Sequence, residues 1–301
     1  MHELNNIGLD DKAALDAVFR AENSRSADFC FGNIYMWDRR FRQSYELAGN
    51  RLVTLLHRGA EPFFAFPVGS GDIRPAMDMM RAYCRSSGIP LRLCGVEQAH
   101  RELLDGVYPG LFSYADDRDF SDYIYSVSDL ASYAGKRLHA KRNYCNRFQA
   151  QYENDWRYVP LRTDIIPDCL NMLAAWEVQC AERLTEGIDD EHDAIVRYFA
   201  GFDRLGMEGG ALYIGERMIG FTVGEQISSD CYCTHFEKAF PDIDGAYTML
   251  CRETARRIMA ERPDVRYVNR EDDMGNLALR QSKLSYKPEF ILEKYIASVV
   301  D

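Results

Sequence analysis

The chain has 301 residues, 47% of them apolar and 28% charged, with a formal net charge of −11. That apolar content excludes a disordered chain, and the length accommodates two cores of ordinary size. The charge excludes a protein that coats nucleic acid with its whole surface, and without a run of about eighteen apolar residues no membrane-spanning helix is expected. The opening stretch, MHELNNIGLDDKAAL, is acidic and lacks the apolar centre of a signal peptide, so a cytoplasmic chain is expected. Nine cysteines are present, an odd number without a Cys-x-x-Cys pair. Cys30, Cys84, Cys94, Cys169, Cys180 and Cys251 stand in hydrophobic runs, as small core residues do, so reduced thiols are expected.

In chain order, helices are expected from Asp11 to Arg20 and from Asn33 to Phe41. RLVTLLH and PFFAFPVG then form a hairpin, followed by a helix from Ile73 to Ser86, the strand LRLCG and a helix from Glu97 to Leu104. The stretch between Ser126 and Gly135 reads as a boundary, giving domains of residues 1–128 and 129–301. An amphipathic helix from Asp164 to Glu182 follows, with Cys169, Met172, Leu173, Trp176 and Cys180 on one face, Asp164 as cap and Pro167 in the first turn. A second helix runs from His192 to Leu205 and stops at Gly206. ALYIG and RMIGFTVGEQI pair across Gly215-Glu216-Arg217, and DCYCTHFE alternates as a third strand. AFPDIDG is a loop, Ala246 to Ala260 a helix, VRYVN a strand, Gly275 to Lys283 a helix and FILEKYIASV a final strand. Helices, hairpin, helix, strand and helix thus occur twice, which predicts an α/β (α+β) fold of two tandem domains, each a mixed sheet flanked by helices.

Three segments carry candidate chemistry. GKRLHAKRNYCNRF, Gly135 to Phe148, has five Lys/Arg and no acid. As a helix it buries Leu138, Cys145, Phe148 and Tyr152 and presents His139, Asn143, Asn146 and Arg147, with Lys136 beside them. Such a face suits phosphate or carboxylate, and a merely solvated basic helix is the alternative. Cys145 falls on the buried face, against a nucleophile's role. The Asp244-Gly245 turn before the Ala246 helix aims backbone N–H groups outward, as a phosphate site does, although FPDIDG is acidic and holds one glycine, so an Asp-capped helix is the alternative. In NREDDMGNLALRQSKLSYKP, the acids Glu271, Asp272 and Asp273 could hold an ammonium, and Arg280 and Lys283 an oxyanion, or else both sets answer only the helix dipole. Cys231, Cys233 and His235 share a strand face, but same-face side chains diverge and no fourth ligand suggests itself, so no metal is expected.

Four segments, GNIYMWDRRF, FPVGSGD, DYIYSVSDLASYAGKRLHAKRNYCNRF and NREDDMGNLALRQSKLSYKP, occur in an order that resembles the stand-alone soluble relatives of the phosphatidylglycerol lysyltransferase C-terminal domain. The resemblance implies two tandem GNAT-like (N-acetyltransferase-like) domains related to Fem-type aminoacyltransferases, with the active site in the second. It implies an acyltransferase that passes an aminoacyl group from charged tRNA to an amine or hydroxyl. The acceptor is then a small molecule or headgroup, the tRNA acceptor end is a partner, and no cofactor is tightly bound. The alternatives are an acyl-CoA-dependent N-acyltransferase on a small amine and a non-catalytic binding module. On this reading Lys283, Arg280 and Tyr286 supply oxyanion donors, and Glu271, Asp272 or Asp273 holds the ammonium or moves a proton. Lys136, His139, Lys141, Arg142, Asn143, Asn146, Arg147 and Gly245 bind phosphate.

Overall fold

A computed structural model describes residues 4–180 and 188–300. From the N-terminus come β1 (Asn5–Asn6), α1 (Lys12–Glu22), α2 (Phe31–Met36), α3 (Asp38–Phe41), β2 (Ser44–Ala48), β3 (Arg51–Arg58), β4 (Glu61–Ala65) and α4 (Arg74–Ser87). Next are β5 (Arg92–Val96), α5 (Gln98–Val107), β6 (Phe112–Asp116), β7 (Asp122–Ser126), α6 (Val127–Ser132), α7 (His139–Tyr152) and β8 (Trp156–Pro160). Then follow α8 (Ile166–Cys180), α9 (Ile188–Ala200), α10 (Phe202–Leu205), β9 (Glu208–Ile214), β10 (Arg217–Gln226) and β11 (Cys231–Ala239). α11 (Ala246–Glu261), β12 (Tyr267–Asn269), α12 (Leu277–Ser285), β13 (Phe290–Leu292) and β14 (Tyr295–Val299) complete the chain.

Several expected elements are redrawn by local geometry. Asn33 to Phe41 is two helices, because Trp37 leaves helical geometry at φ −90°, ψ 5°. Asp164 does not cap α8, since its carboxylate pairs with Arg162 in a preceding 3-10 turn. The end expected at Glu182 lies outside the described residues. β11 does not alternate between buried and exposed; it is buried on both faces from Cys231 to Phe236 because it is a central strand. FILEKYIASV is two strands that join different sheets.

The sheets have the orders β1-β2-β3-β4-β5-β14-β6 and β13-β7-β12-β11-β10-β9-β8. Read from β1 in one and from β8 in the other, the positions correspond. In each, the fourth and fifth strands are the parallel pair: β4 with β5 at Phe64↔Leu93, and β11 with β12 at Cys231↔Tyr267. The sixth place is exchanged. β14, from the end of the chain, lies between β5 and β6, while β7, from its first half, lies between β12 and β13. The residues accordingly form two compact units, each discontinuous in sequence. One holds the chain up to Asp122 with Asp272–Leu277 and Ile291 onward; the other holds Tyr123–Glu271 and Ala278–Phe290.

In the second unit α11 buries Met249, Leu250, Cys251, Ala255 and Ile258, each worth roughly 1.5–3 kcal/mol if large and fully covered. What positions the site is a splay. β11 pairs with β12 only over Cys231–Cys233, after which the two strands part. The chain beyond β12 follows β7 instead, with Arg270 N–H on the Tyr123 carbonyl (3.0 Å) and Tyr123 N–H on that of Glu271 (3.1 Å). Glu271 turns there at φ +56°, a conformation that costs a non-glycine residue about 1–3 kcal/mol.

Candidate functional site

Two acid–base pairs bridge the splay in the second unit. Arg270 Nη2 donates to Glu237 Oε1 at 2.9 Å, and His235 Nδ1 lies 2.8 Å from Glu271 Oε1. Arg270 is enclosed by aromatic rings, with its guanidinium carbon 4.6 Å from the Tyr286 centroid and 5.6 Å from that of Tyr125. Its Nη1 is buried without a hydrogen-bond partner among the described residues. A second cation shares the same ring: Lys141 Nζ stands 3.6 Å from the Tyr286 centroid. Among the described residues no carboxylate pairs with Lys141.

The electrostatics follow from burial. Burial pushes the Lys141 ammonium down to about 8, and the nearby Arg270 charge pushes the same way. Burial raises the Glu237 carboxyl above its ordinary value, opposed by Arg270, Lys283 and Lys141. Two cations therefore share one aromatic platform, with a carboxylate on one of them and an unused guanidinium N–H. Such a group costs about 1–3 kcal/mol when left unsatisfied, so the arrangement favours an incoming oxygen anion.

The expected residues divide into those the fold gathers here and those it does not. Tyr286 is the buried platform. Lys283 donates to the carbonyls of Arg270 and Glu271 (3.2 Å to the latter), so it clamps the strand end. Tyr125 O–H donates to the Lys283 carbonyl at 2.8 Å, tying α12 to β7. Lys141 turns inward from α7. Arg142 donates instead to the Tyr133 and Gly135 carbonyls (2.8 and 3.2 Å), and His139 and Asn143 contact each other (3.3 Å). Lys136 and Asn146 are exposed, and Arg280 is half-buried on α12. Asp272 and Asp273 belong to the first unit, where buried Asp273 pairs with Arg118 at 3.3 Å.

The turn before α11 packs closely on α7. Gly245 has φ +82°, and a Cβ there would lie 2.7 Å from the Tyr144 carbonyl oxygen of α7. Arg147 donates from Nε and Nη2 to Asp244 Oδ2 (2.9 and 2.8 Å), which holds an acid beside the helix N-terminus. Cys145 is buried and its thiol is raised to about 12, as a packed residue's would be.

Sequence reasoning missed Arg270 and Glu237. Arg270 was hidden within NREDD, beside three more conspicuous acids, and Glu237 ended what read as an alternating strand. His235 does not share a plain strand face with Cys231 and Cys233. The β10–β11 register passes from Val223↔Phe236 to Gly224↔Thr234 and skips it, so it is the extra residue of a β-bulge.

The sequence matches the family described as Phosphatidylglycerol lysyltransferase, C-terminal, over residues 19–298. A conserved protein of unknown function from Bacteroides thetaiotaomicron is 33% identical, and its crystal structure matches with a TM-score of 0.93 over 100% of both chains. L-PGS from Bacillus licheniformis matches with a TM-score of 0.67 at 13% identity, covering 99% of this chain and 94% of that one. A tandem GNAT protein from the clavulanic acid biosynthesis pathway matches at 0.50 with 13% identity, covering 98% of each chain. These last two share the fold: α/β, with two GNAT-like mixed sheets in tandem. An uncharacterized protein of Mycoplasmoides gallisepticum is 26% identical over 186 residues, which are 60% of this chain and 56% of that protein. The match therefore spans little more than half of that relative's length. By a family match that runs almost from end to end, the chain belongs to the family of the phosphatidylglycerol lysyltransferase C-terminal domain.

Proposed function

We propose that the protein is an acyltransferase that moves an aminoacyl group from a charged tRNA to an amine or hydroxyl acceptor. The observation that carries this reading is the pair of half-buried cations over Tyr286, with the buried Arg270 Nη1 left unpartnered. In such a transfer the acceptor attacks the ester carbonyl, the carbonyl oxygen becomes anionic, the bond to the tRNA ribose breaks, and the proton lost by the acceptor balances the one the ribose oxygen gains. Arg270 Nη1 and Lys141 Nζ are donors for that oxyanion, where a single well-placed donor is worth about 2.7–4 kcal/mol. An ammonium that titrates near 8 also suits the proton the departing ribose oxygen takes up. Glu237 fixes the guanidinium, Tyr286 sets both cations, and Lys283 positions the strand end. Lys136, His139, Asn143 and Asn146 supply the outer contacts to tRNA phosphates. Glu271, engaged by His235, is left out of this reading.

The family's namesake is a lysyltransferase, which supports an aminoacyl donor. Asp244, held by Arg147 beside the N-terminus of α11, places a negative charge where the pyrophosphate of an acyl-CoA would sit and argues against that donor.

The test is a comparison of donors. Aminoacyl-tRNA should bind more tightly than acetyl-CoA, with an affinity that falls steeply with salt as phosphate contacts release counterions. Transfer of a labelled amino acid from tRNA should drop by at least about a hundredfold in Arg270→Met, as for an oxyanion-hole donor. Tight, salt-insensitive binding of an acyl-CoA would reverse the assignment, and absence of transfer from either donor would leave a binding module.

A further inference from the structure

We infer that Cys233, His235 and Glu271 form a binding site for one zinc ion, separate from the cations assigned to transfer. The β-bulge creates it. In a regular strand the side chains of residues two apart stand about 6.5–7 Å apart. The extra residue in the β10–β11 register swings His235 so that its Nδ1 lies 3.6 Å from Cys233 Sγ. Glu271, at the left-handed turn ending the neighbouring strand, brings Oε1 to 2.8 Å from Nδ1 and 3.8 Å from Sγ.

These separations fit a tetrahedral ion. Bonds of about 2.3 Å to sulfur and about 2.0–2.1 Å to nitrogen and oxygen place sulfur roughly 3.6 Å from the other donors, and nitrogen roughly 3.3 Å from oxygen. Both sulfur edges already have that length. The N···O edge is a hydrogen bond that opens by about half an ångström once the ion replaces its proton. A thiolate, an imidazole and a carboxylate together suit zinc, whereas magnesium and calcium want oxygen alone. His235 Nε2 lies 3.2 Å from Glu225 Oε1, which gives the ligand imidazole the carboxylate that orients it.

Binding is balanced simply. The Cys233 thiol gives up its proton to solvent, as does His235 Nδ1 in the tautomer or charge state that carries one; Nε2–H then faces Glu225, and the fourth position is left for water. Cys233 and the His235 side chain are buried, while Glu271 keeps 19% of its side chain exposed, which provides the way in. Because Lys283 holds the Arg270 and Glu271 carbonyls, an ion on Glu271 ties down the strand end that carries Arg270.

The experiment uses the full chain, purified without chelators. Elemental analysis should find one zinc per chain, and cobalt(II) loading of the stripped protein should give a thiolate-to-metal charge-transfer band. Cys233→Ser and His235→Gln should each weaken zinc by more than about a hundredfold, and Glu225→Gln by about 10–100-fold, in competition with a chromophoric chelator. Cys169→Ser, a buried thiol in α8, should change nothing. No stoichiometric zinc and no thiolate band in the wild-type chain would overturn the site and leave a hydrogen-bonded Glu–His–Glu triad, whatever the variants do. Metal content and cobalt spectrum are read without a transfer assay, so failure here and failure of the aminoacyl reading are distinct results.

Discussion

At the scale of residues, Lys141 carries the sharpest test. Its ammonium titrates near 8 in the fold against an ordinary 10.5, so the unfolded chain binds the proton more tightly. The charge is therefore a penalty fully present below pH 8, relieved as pH rises to 10.5 and absent above. Relative to Lys141→Met, the wild type should gain stability across that window, as read from urea denaturation at stepped pH. A pH-independent difference would mean the ammonium is solvated. In the neighbouring pair burial raises Glu237 and the Arg270 charge chiefly opposes it, so removing either partner alone leaves the other uncompensated.

At the scale of elements, a buried ion cluster in the first unit holds the chain where it enters β14. Lys294, just before β14, is fully buried and bonds Asp122, the first residue of β7, at 2.9 Å and Asp28 at 2.9 Å. Asp122 also accepts the Ala27 N–H at 2.8 Å, and the Lys294 N–H reaches Ser121 Oγ at 3.1 Å. Burial opposes the Lys294 charge, yet the two carboxylates raise its pKa above the ordinary lysine value, while burial raises Asp122. Lys294→Met strands two carboxylates and should cost about 3–5 kcal/mol in chemical denaturation. The double variant with Asp122→Asn should recover part of that loss, and simple additivity of the two would contradict a coupled lock.

At the scale of the whole molecule, the exchange makes each sheet depend on a distant piece of chain. Ending the chain after Leu292 removes β14 and leaves β5 and β6 as unpaired edges. Amide exchange should then rise throughout the first unit, including β2 and β3 far away in sequence, while β9 to β11 keep their protection. Uniform loss of protection in both units would show that they do not fold separately.

Much of this architecture is visible in the sequence, because periodic burial and turn residues act locally. The α4 and α11 helices, the Gly215 turn and the doubled order of helices, hairpin and helix are read from spacing alone. The basic helix could also be drawn on a wheel, with Cys145 and Phe148 correctly turned inward. Spacing does not reveal long-range pairing. That FILEKYIASV divides between two sheets depends on partners at β5, β6 and β7, and short half-exposed strands such as β8 carry little alternation. The site has the same origin: Lys141, Glu237, Arg270 and Tyr286 are distant in sequence and meet only where β11 and β12 part. Composition showed that cations were concentrated on one helix, whereas the tertiary structure selected Lys141, because only its side chain reaches Tyr286 while Arg147 is spent on Asp244.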